Sequence, residues 1–157
     1  MSMDTDEYFI NEQFKFLKDK MIEGNYDSSF CKMISYYKTS EYMRLPLEEY
    51  FVSLIYKIND TSNFNLNNYC PVIVDATRKI NSVNPIIFNR DEIEMHHLSM
   101  VRDNIESKFI NSSARILFNN NITQMVDDYN NWVYPNKALW PGSPPYYVEI
   151  KKVKKIF

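Results

Sequence analysis

Two glycines in 157 residues, Gly24 and Gly142, set the first limit on what this chain can become. Glycine enters left-handed backbone without steric cost, so folds rich in tight hairpins consume it. Two glycines disfavour small sandwiches, barrels and Gly-rich phosphate loops, and they turn the reading toward helices. The expected fold is mainly α: a compact bundle of about five to seven helices with a short C-terminal β element. An α+β fold is the alternative.

Hydrophobic spacing supports that expectation. Ile10, Phe14, Leu17 and Met21 recur at four-three-four intervals, one stripe of a helix over Thr5–Glu23, with acidic Asp4, Asp6 and Glu7 at its start and Gly24 as its stop. A second helix, capped by Asp27 or Ser28, would carry Phe30, Met33, Ile34 and Tyr37 and end before Pro46. Pro46 suits the first turn of a third, with Leu47, Phe51, Leu54 and Ile58 as its stripe. Residues 59–68 read as an Asn-rich loop. Residues 71–80 could be helix or buried strand, with helix preferred, and Pro85–Phe88 reads as an extended connector.

Asn89-Arg90-Asp91-Glu92 has the form of a capping box, opening a helix with Ile93, Met100, Val101, Ile105 and Phe109 on one face. Residues 112–118 form a possible short helix. Asn121 would cap another, carrying Ile122, Met125, Val126, Tyr129, Trp132 and Val133. Residues 134–145 hold Pro135, Pro141, Pro144, Pro145 and Gly142 and are expected to be irregular. Tyr146–Lys151 alternates like a half-buried strand. No linker or repeat divides the sequence, which is read as one globular domain over residues 1–157 with that Pro-rich insertion.

Composition narrows the function classes. Apolar residues make up 45% and aromatics 15%, enough for a core without disulfide or metal. Cys31 and Cys70 are read as reduced thiols, consistent with a cytoplasmic setting. The first residues lack a signal-peptide core, and no apolar run is long enough to span a bilayer. A formal charge of −2 argues against a dedicated nucleic-acid binder. Heavy use of Asn, Lys, Ile, Tyr and Phe points to an AT-rich gene, as in mobile bacterial elements, some viruses and some protists.

Chemical motifs are sparse. On a helix, Glu94-Met95-His96-His97 would meet the Glu-x-x-His spacing of carboxylate-bridged metal bundles, but no further histidine completes such a site. A core-edge His97 and a surface Glu92–His96 pair are the simpler reading, and neither metal nor cofactor is expected. A Cys–His nucleophile has no local signature around either thiol. Asp127-Asp128 reads as a solvated helix face. The Lys151, Lys152, Lys154, Lys155 cluster reads as a lysine-guarded strand edge, with nucleic-acid contact as the sharper alternative.

Aromatic surplus is the remaining signal. Tyr, Trp and Met bury large areas at low entropy cost in interfaces. The expected partner-binding set is Trp132, Tyr134, Trp140, Tyr146 and Tyr147, with Asp127 and Asp128. The functional expectation is therefore a non-enzymatic cytoplasmic module, in its concrete form an immunity protein neutralising a toxin such as a basic nuclease domain. The alternatives are an enzyme or metal-binding helical protein using Glu94, His96 and His97, and a nucleic-acid-contacting regulator of a virus or mobile element. No stretch resembles a family closely enough to name one.

Overall fold

A computed structural model describes residues 5–49, 51–60, 62–65, 67–74, 78–112 and 115–155, with the side chains of 117–119 excepted. It overturns the helical expectation. Strand accounts for 32% of the chain against 25% helix, which is an α+β fold. In chain order the elements are β1 (Glu7–Tyr8), α1 (Asn11–Glu23), β2 (Ser28–Tyr37), β3 (Thr39–Leu45), β4 (Phe51–Tyr56), β5 (Pro85–Ile87), β6 (Glu94–Met100), α2 (Ile105–Asn111), the single turn α3 (Arg115–Phe118), α4 (Ile122–Asn131), β7 (Ala138–Trp140) and β8 (Tyr146–Lys152). The chain forms two compact units, one from Met1–Ile34 and Glu48–His97, the other from Ser35–Leu47 and Leu98–Phe157.

In the first unit, α1 follows its stripe: Leu17 and Met21 are buried, while Ile10 sits at the N-cap. The helix ends with two hydrogen bonds, Tyr26 N–H to the Met21 carbonyl and Asn25 N–H to the Ile22 carbonyl, 3.1 and 3.2 Å. That closure needs a left-handed residue, and Asn25 supplies it at φ 47°. Gly24 makes room for the Tyr26 ring. A methyl there would lie 2.0 Å from the Tyr26 ring. Leu17, Met21, Cys31, Met33, Val52, Leu54, Phe88, Ile93 and Met95 form the core.

The expected second and third helices are strands, and the helix expected from Asn89 is strand β6 followed by the short helix α2, which carries Ile105 and Phe109. Ser28–Lys32 of β2 pair antiparallel with β4, and Ser28–Phe30 pair parallel with β5. Between Ser28 and Phe30 the β4 register slips, and Ser29 serves the gap: its hydroxyl donates to the Ile55 carbonyl and accepts from the Ile55 N–H, both at 3.1 Å. Ser53 likewise donates to the Arg78 carbonyl at 2.9 Å. These serines count as polar in a periodicity scan yet lie inside, so the true pattern is a run buried on both faces. A run of that kind cannot be told from a helix by spacing.

Half of the capping box expected at residues 89–92 forms: the Glu92 carboxylate accepts from the Asn89 N–H at 2.8 Å, while the Glu92 N–H donates to the Asn89 backbone carbonyl at 3.1 Å. It closes one turn, after which Ile93 is buried and β6 begins. Part of the expected helix at 71–80, residues 75–77, lies outside the described residues. Around it, Val74 and Ile80 make isolated bridges to Phe51 and Phe64. Pro85–Ile87 is extended as expected and joins the sheet as β5.

In the second unit, β2 turns into β3 at Lys38, which holds φ 63°. No glycine takes a positive φ among the described residues. Asn25 and Lys38 do what glycine was expected to do, so glycine scarcity did not forbid a sheet. β8 forms as expected and pairs with β3 on one side and β7 on the other. Lys151 and Lys152 pair with Met43 and Tyr42 across the β3 ladder, beyond the Tyr146–Val148 stretch of β8 that pairs with β7. The Pro-rich stretch contains the three-residue strand β7. α2 buries Ile105 and Phe109, capped by Asn104, and α4 buries Met125 and Tyr129. Asn121 stands at the α4 N-cap, but its side chain makes no cap hydrogen bond.

Two tyrosines in this core give opposite predictions for one substitution. The Tyr129 hydroxyl lies 2.9 Å from the Met100 and Arg102 carbonyls and accepts from the Arg102 N–H at 3.3 Å. The Tyr37 hydroxyl is buried with no hydrogen-bond partner among the described residues. Tyr129→Phe should therefore cost about 1–3 kcal/mol, since buried backbone groups lose their partner. Tyr37→Phe should leave stability unchanged or raised. Urea unfolding of both variants checks this. A Tyr37→Phe loss equal to that of Tyr129→Phe would contradict it.

Candidate functional site

The second unit gathers every partner-binding residue expected from sequence. Its centre is Tyr37, whose ring meets Tyr129 at 5.0 Å, Trp132 at 5.3 Å and Trp140 at 6.3 Å between centroids. The contacts continue outward: Trp132 to Tyr42 at 5.1 Å, then Tyr42 stacked on Tyr134 at 5.5 Å and 21°. Edge-to-face and offset contacts of this kind add about 0.5–1.5 kcal/mol each beyond burial. Tyr37, Tyr42, Tyr129 and Trp140 lie on β2, β3, α4 and β7, and Trp132 and Tyr134 on the segment that follows α4, so four elements hold the array.

Both tryptophans belong to the packing. Trp140 is buried, and the half-buried Trp132 packs on the same core and donates its Nε1–H to the Asn136 carbonyl at 2.9 Å. Two cations complete the array. The Arg44 guanidinium lies 5.2 Å from the Trp140 ring, donates to the Pro46 carbonyl at 2.6 Å and reaches the Tyr146 hydroxyl at 3.2 Å. Lys38 Nζ lies 4.4 Å from the Tyr129 ring and 3.4 Å from the Asn130 carbonyl near the C-terminus of α4, where the helix dipole favours a cation. Neither cation was singled out in the sequence, and nothing in their local spacing marks them.

What reaches solvent is a rim. Tyr134, Tyr146 and Tyr147 are 41%, 45% and 57% exposed, Val133 beside Tyr134 is open as well, and so is Asp127 on α4. Tyr147 donates to the Asp128 carboxylate at 3.1 Å, an interaction that pushes its phenol above the ordinary range. Tyr146 and Tyr147, neighbours on β8, point to opposite faces of the strand, and of these rings Tyr147 is the one bonded to the α4 acids, through Asp128.

Charge is divided unevenly. The first unit holds eight Lys and Arg against fourteen Asp and Glu; the second holds ten against six. Asp127 and Asp128 therefore sit within the basic unit, and the chain's acidic excess lies in the other.

The Glu94, His96, His97 constellation does not survive as proposed. These residues lie on strand β6, where neighbours alternate sides, so Glu94 and His97 point to opposite faces. Glu94 binds Arg90 at 2.6 Å, and His97 Nε2 lies 3.9 Å from Asp6. Burial holds His96 below the ordinary imidazole range. Among the described residues no group of three or more His, Cys, Asp or Glu is placed to hold a metal. Cys31 is buried, which pushes its thiol far up, away from nucleophilic use. No helix among the described residues is long and apolar enough to cross a membrane.

Two features of the first unit were missed. Glu7 and Arg78, both buried, form a two-pronged ion pair at 2.7 and 2.9 Å. Asp27, expected as a helix cap, caps a loop instead: its carboxylate accepts from the Val83 and Asn84 N–H groups at 2.6 and 3.0 Å and from Ser82 Oγ. A short polar side chain after a glycine-ended helix was visible, but its target lies more than fifty residues away. The chain matches no family model, no curated protein and no solved structure.

Burial would raise the Asp27 pKa, but the hydrogen bonds from Ser82, Val83, Asn84 and Ser28 outweigh it and hold the carboxyl below its usual value. A depressed carboxylate contributes stability fully above the unfolded value of about 3.9 and loses it as pH falls through the folded one. Wild-type stability should drop over that acidic window more than that of Asp27→Asn, and the two curves should converge at the lowest pH. Parallel curves in pH-dependent urea unfolding would contradict this.

Proposed function

We propose that this protein is a binding module that engages another protein through the exposed rim of its second unit, Tyr134, Tyr146 and Tyr147 with Asp127 and Asp128. The observation that carries the reading is the mounting of those rings. Tyr134 stacks on Tyr42, Tyr146 is fixed by Arg44 and Tyr147 by Asp128, so little side-chain entropy remains to be lost on binding. In its concrete form the protein is a cytoplasmic immunity-type inhibitor that covers a toxin's working surface.

The test is binding to the product of an adjacent toxin-like gene. Tyr134→Ala/Tyr147→Ala should weaken the complex about tenfold or more, roughly 1.4 kcal/mol, with the unfolding midpoint little changed. Unchanged affinity would remove the rim from the interface.

One observation favours a second reading. The second unit is basic, and Lys151, Lys152, Lys154 and Lys155 are exposed close in sequence to Tyr146 and Tyr147. Lysines that track phosphates and rings that stack bases are the elements of single-strand nucleic-acid binding. Retention on single-stranded DNA at low salt, lost as salt rises, would support it. No retention at low salt ends it.

A further inference from the structure

Two buried side chains decide which way α2 faces. Ile105 and Phe109, one turn apart, are both 2% exposed and seat the helix on the core of the second unit. The residues off that stripe turn away from the core, and they divide by chemistry. Glu106 and Ile110 each stand two positions from Lys108, about 200° round the helix from it. On the Lys108 side, Arg102, Asn104, Ser107, Lys108, Asn111 and Ser112 line a cavity of about 340 Å³.

All six of these side chains can donate a hydrogen bond, and two of them are cations. Among the described residues no carboxylate and no aromatic ring lines the cavity; Asp103 and Glu106, the nearest acids in sequence, are not part of the wall. A wall of that composition suits an anion with several acceptor oxygens, as in a phosphoryl group, and offers nothing on which a base could stack. The volume lies at the low end of small-molecule sites, about 300–1,000 Å³, and exceeds what a bare phosphate ion fills. The wall is also set in place. The Arg102 N–H donates to the Tyr129 hydroxyl at 3.3 Å and its Nε to the Ser99 carbonyl at 3.1 Å, which fixes the root of the side chain and one edge of its guanidinium. Asn104 Oδ1 accepts from the Ser107 N–H and Asn111 Nδ2 donates to the Ser107 carbonyl, both at 2.9 Å, so both amides are tied to one turn of the helix. The surrounding unit carries ten bases against six acids, and its field draws anions toward this face.

We infer that this face of α2 binds a small phosphorylated, hydroxyl-rich molecule, Arg102 and Lys108 holding the phosphoryl oxygens and the hydroxyl and amide side chains meeting the rest. This adds a small-molecule site to the partner-binding reading and depends on no residue of the rim.

The experiment is an amide-resolved NMR titration of the full chain at low ionic strength with a hexose 6-phosphate, the unphosphorylated hexose and inorganic phosphate in turn. The hexose phosphate should give saturable shifts centred on Arg102, Asn104, Ser107, Lys108 and Asn111. Inorganic phosphate should give weaker binding at the same amides, and the free hexose none. Affinity for the hexose phosphate should fall about tenfold in Arg102→Gln/Lys108→Gln. Lys15→Gln/Lys18→Gln, which removes the same charge from exposed positions of α1, should leave it unchanged. If Arg102→Gln/Lys108→Gln does not fold, the comparison of the three ligands on the unaltered chain decides alone. No saturation, an equal response to the free hexose, or equal affinity for inorganic phosphate would overturn the inference. So would shifts centred on Lys151–Lys155, or an equal loss in the two double variants, since either would reduce the effect to general charge attraction.

Discussion

A strand buried along nearly its whole length has no solvent to satisfy its polar side chains, and β2 is such a strand. From Ser28 to Tyr37 only Lys32 is more than marginally exposed. Unsatisfied hydroxyls in that setting would cost about 1–3 kcal/mol each. Ser28 is therefore bonded to Ser82, and Ser29 closes both backbone groups of Ile55 where the register slips. The rest follows from that economy of small polar residues. β4 and β5 pair with the first part of β2, and β3 takes up the last.

Tyr37, at the end of β2, carries the consequence into the second unit. Its ring is the hub on which Tyr129, Trp132 and Trp140 pack, and its own hydroxyl contributes nothing to that arrangement. The aromatic surplus is thus mostly packed in the interior, and rings reach solvent at Tyr134, Tyr146 and Tyr147. Arg44 and Asp128 determine which emerging rings are held still. In the first unit a helix cap and a carboxylate-anchored loop fix the corner where α1 ends.

Local chemistry was legible where an element depends on its own neighbours. α1 with its stop at Gly24, the apolar stripe of α4, the extended Pro85–Ile87 and the alternating β8 all appear in the sequence pattern and in the structure. The fold class was not legible. Phe30, Met33, Ile34 and Tyr37 are spaced as on a helix, and only the burial of Cys31, Ser35 and Tyr36 between them, and of Ser29 before them, shows a strand covered on both faces. That burial is a property of distant partners. Glycine misled for a related reason, since Asn25 and Lys38 accept left-handed backbone at a modest cost. Of the candidate site, the residue set was visible, but which rings point outward was not: Trp140 is packed inside, whereas Tyr147 is open. Arg44, Lys38 and the Glu7–Arg78 pair had no sequence signal, because each finds its partner across tertiary space.

The central claim is that residues 28–45 are two strands meeting at a left-handed Lys38, with the first covered on both sides. Cα and Cβ chemical shifts over this segment, together with amide hydrogen exchange, test it most directly. The structure predicts strand-signed shifts through Ser28–Tyr37 and Thr39–Leu45, broken at Lys38, and slow exchange for the paired amides of β2. An unbroken run of helical shifts from Ser28 to Leu45 would contradict it, and with it the placement of every aromatic ring that β2 and β3 carry.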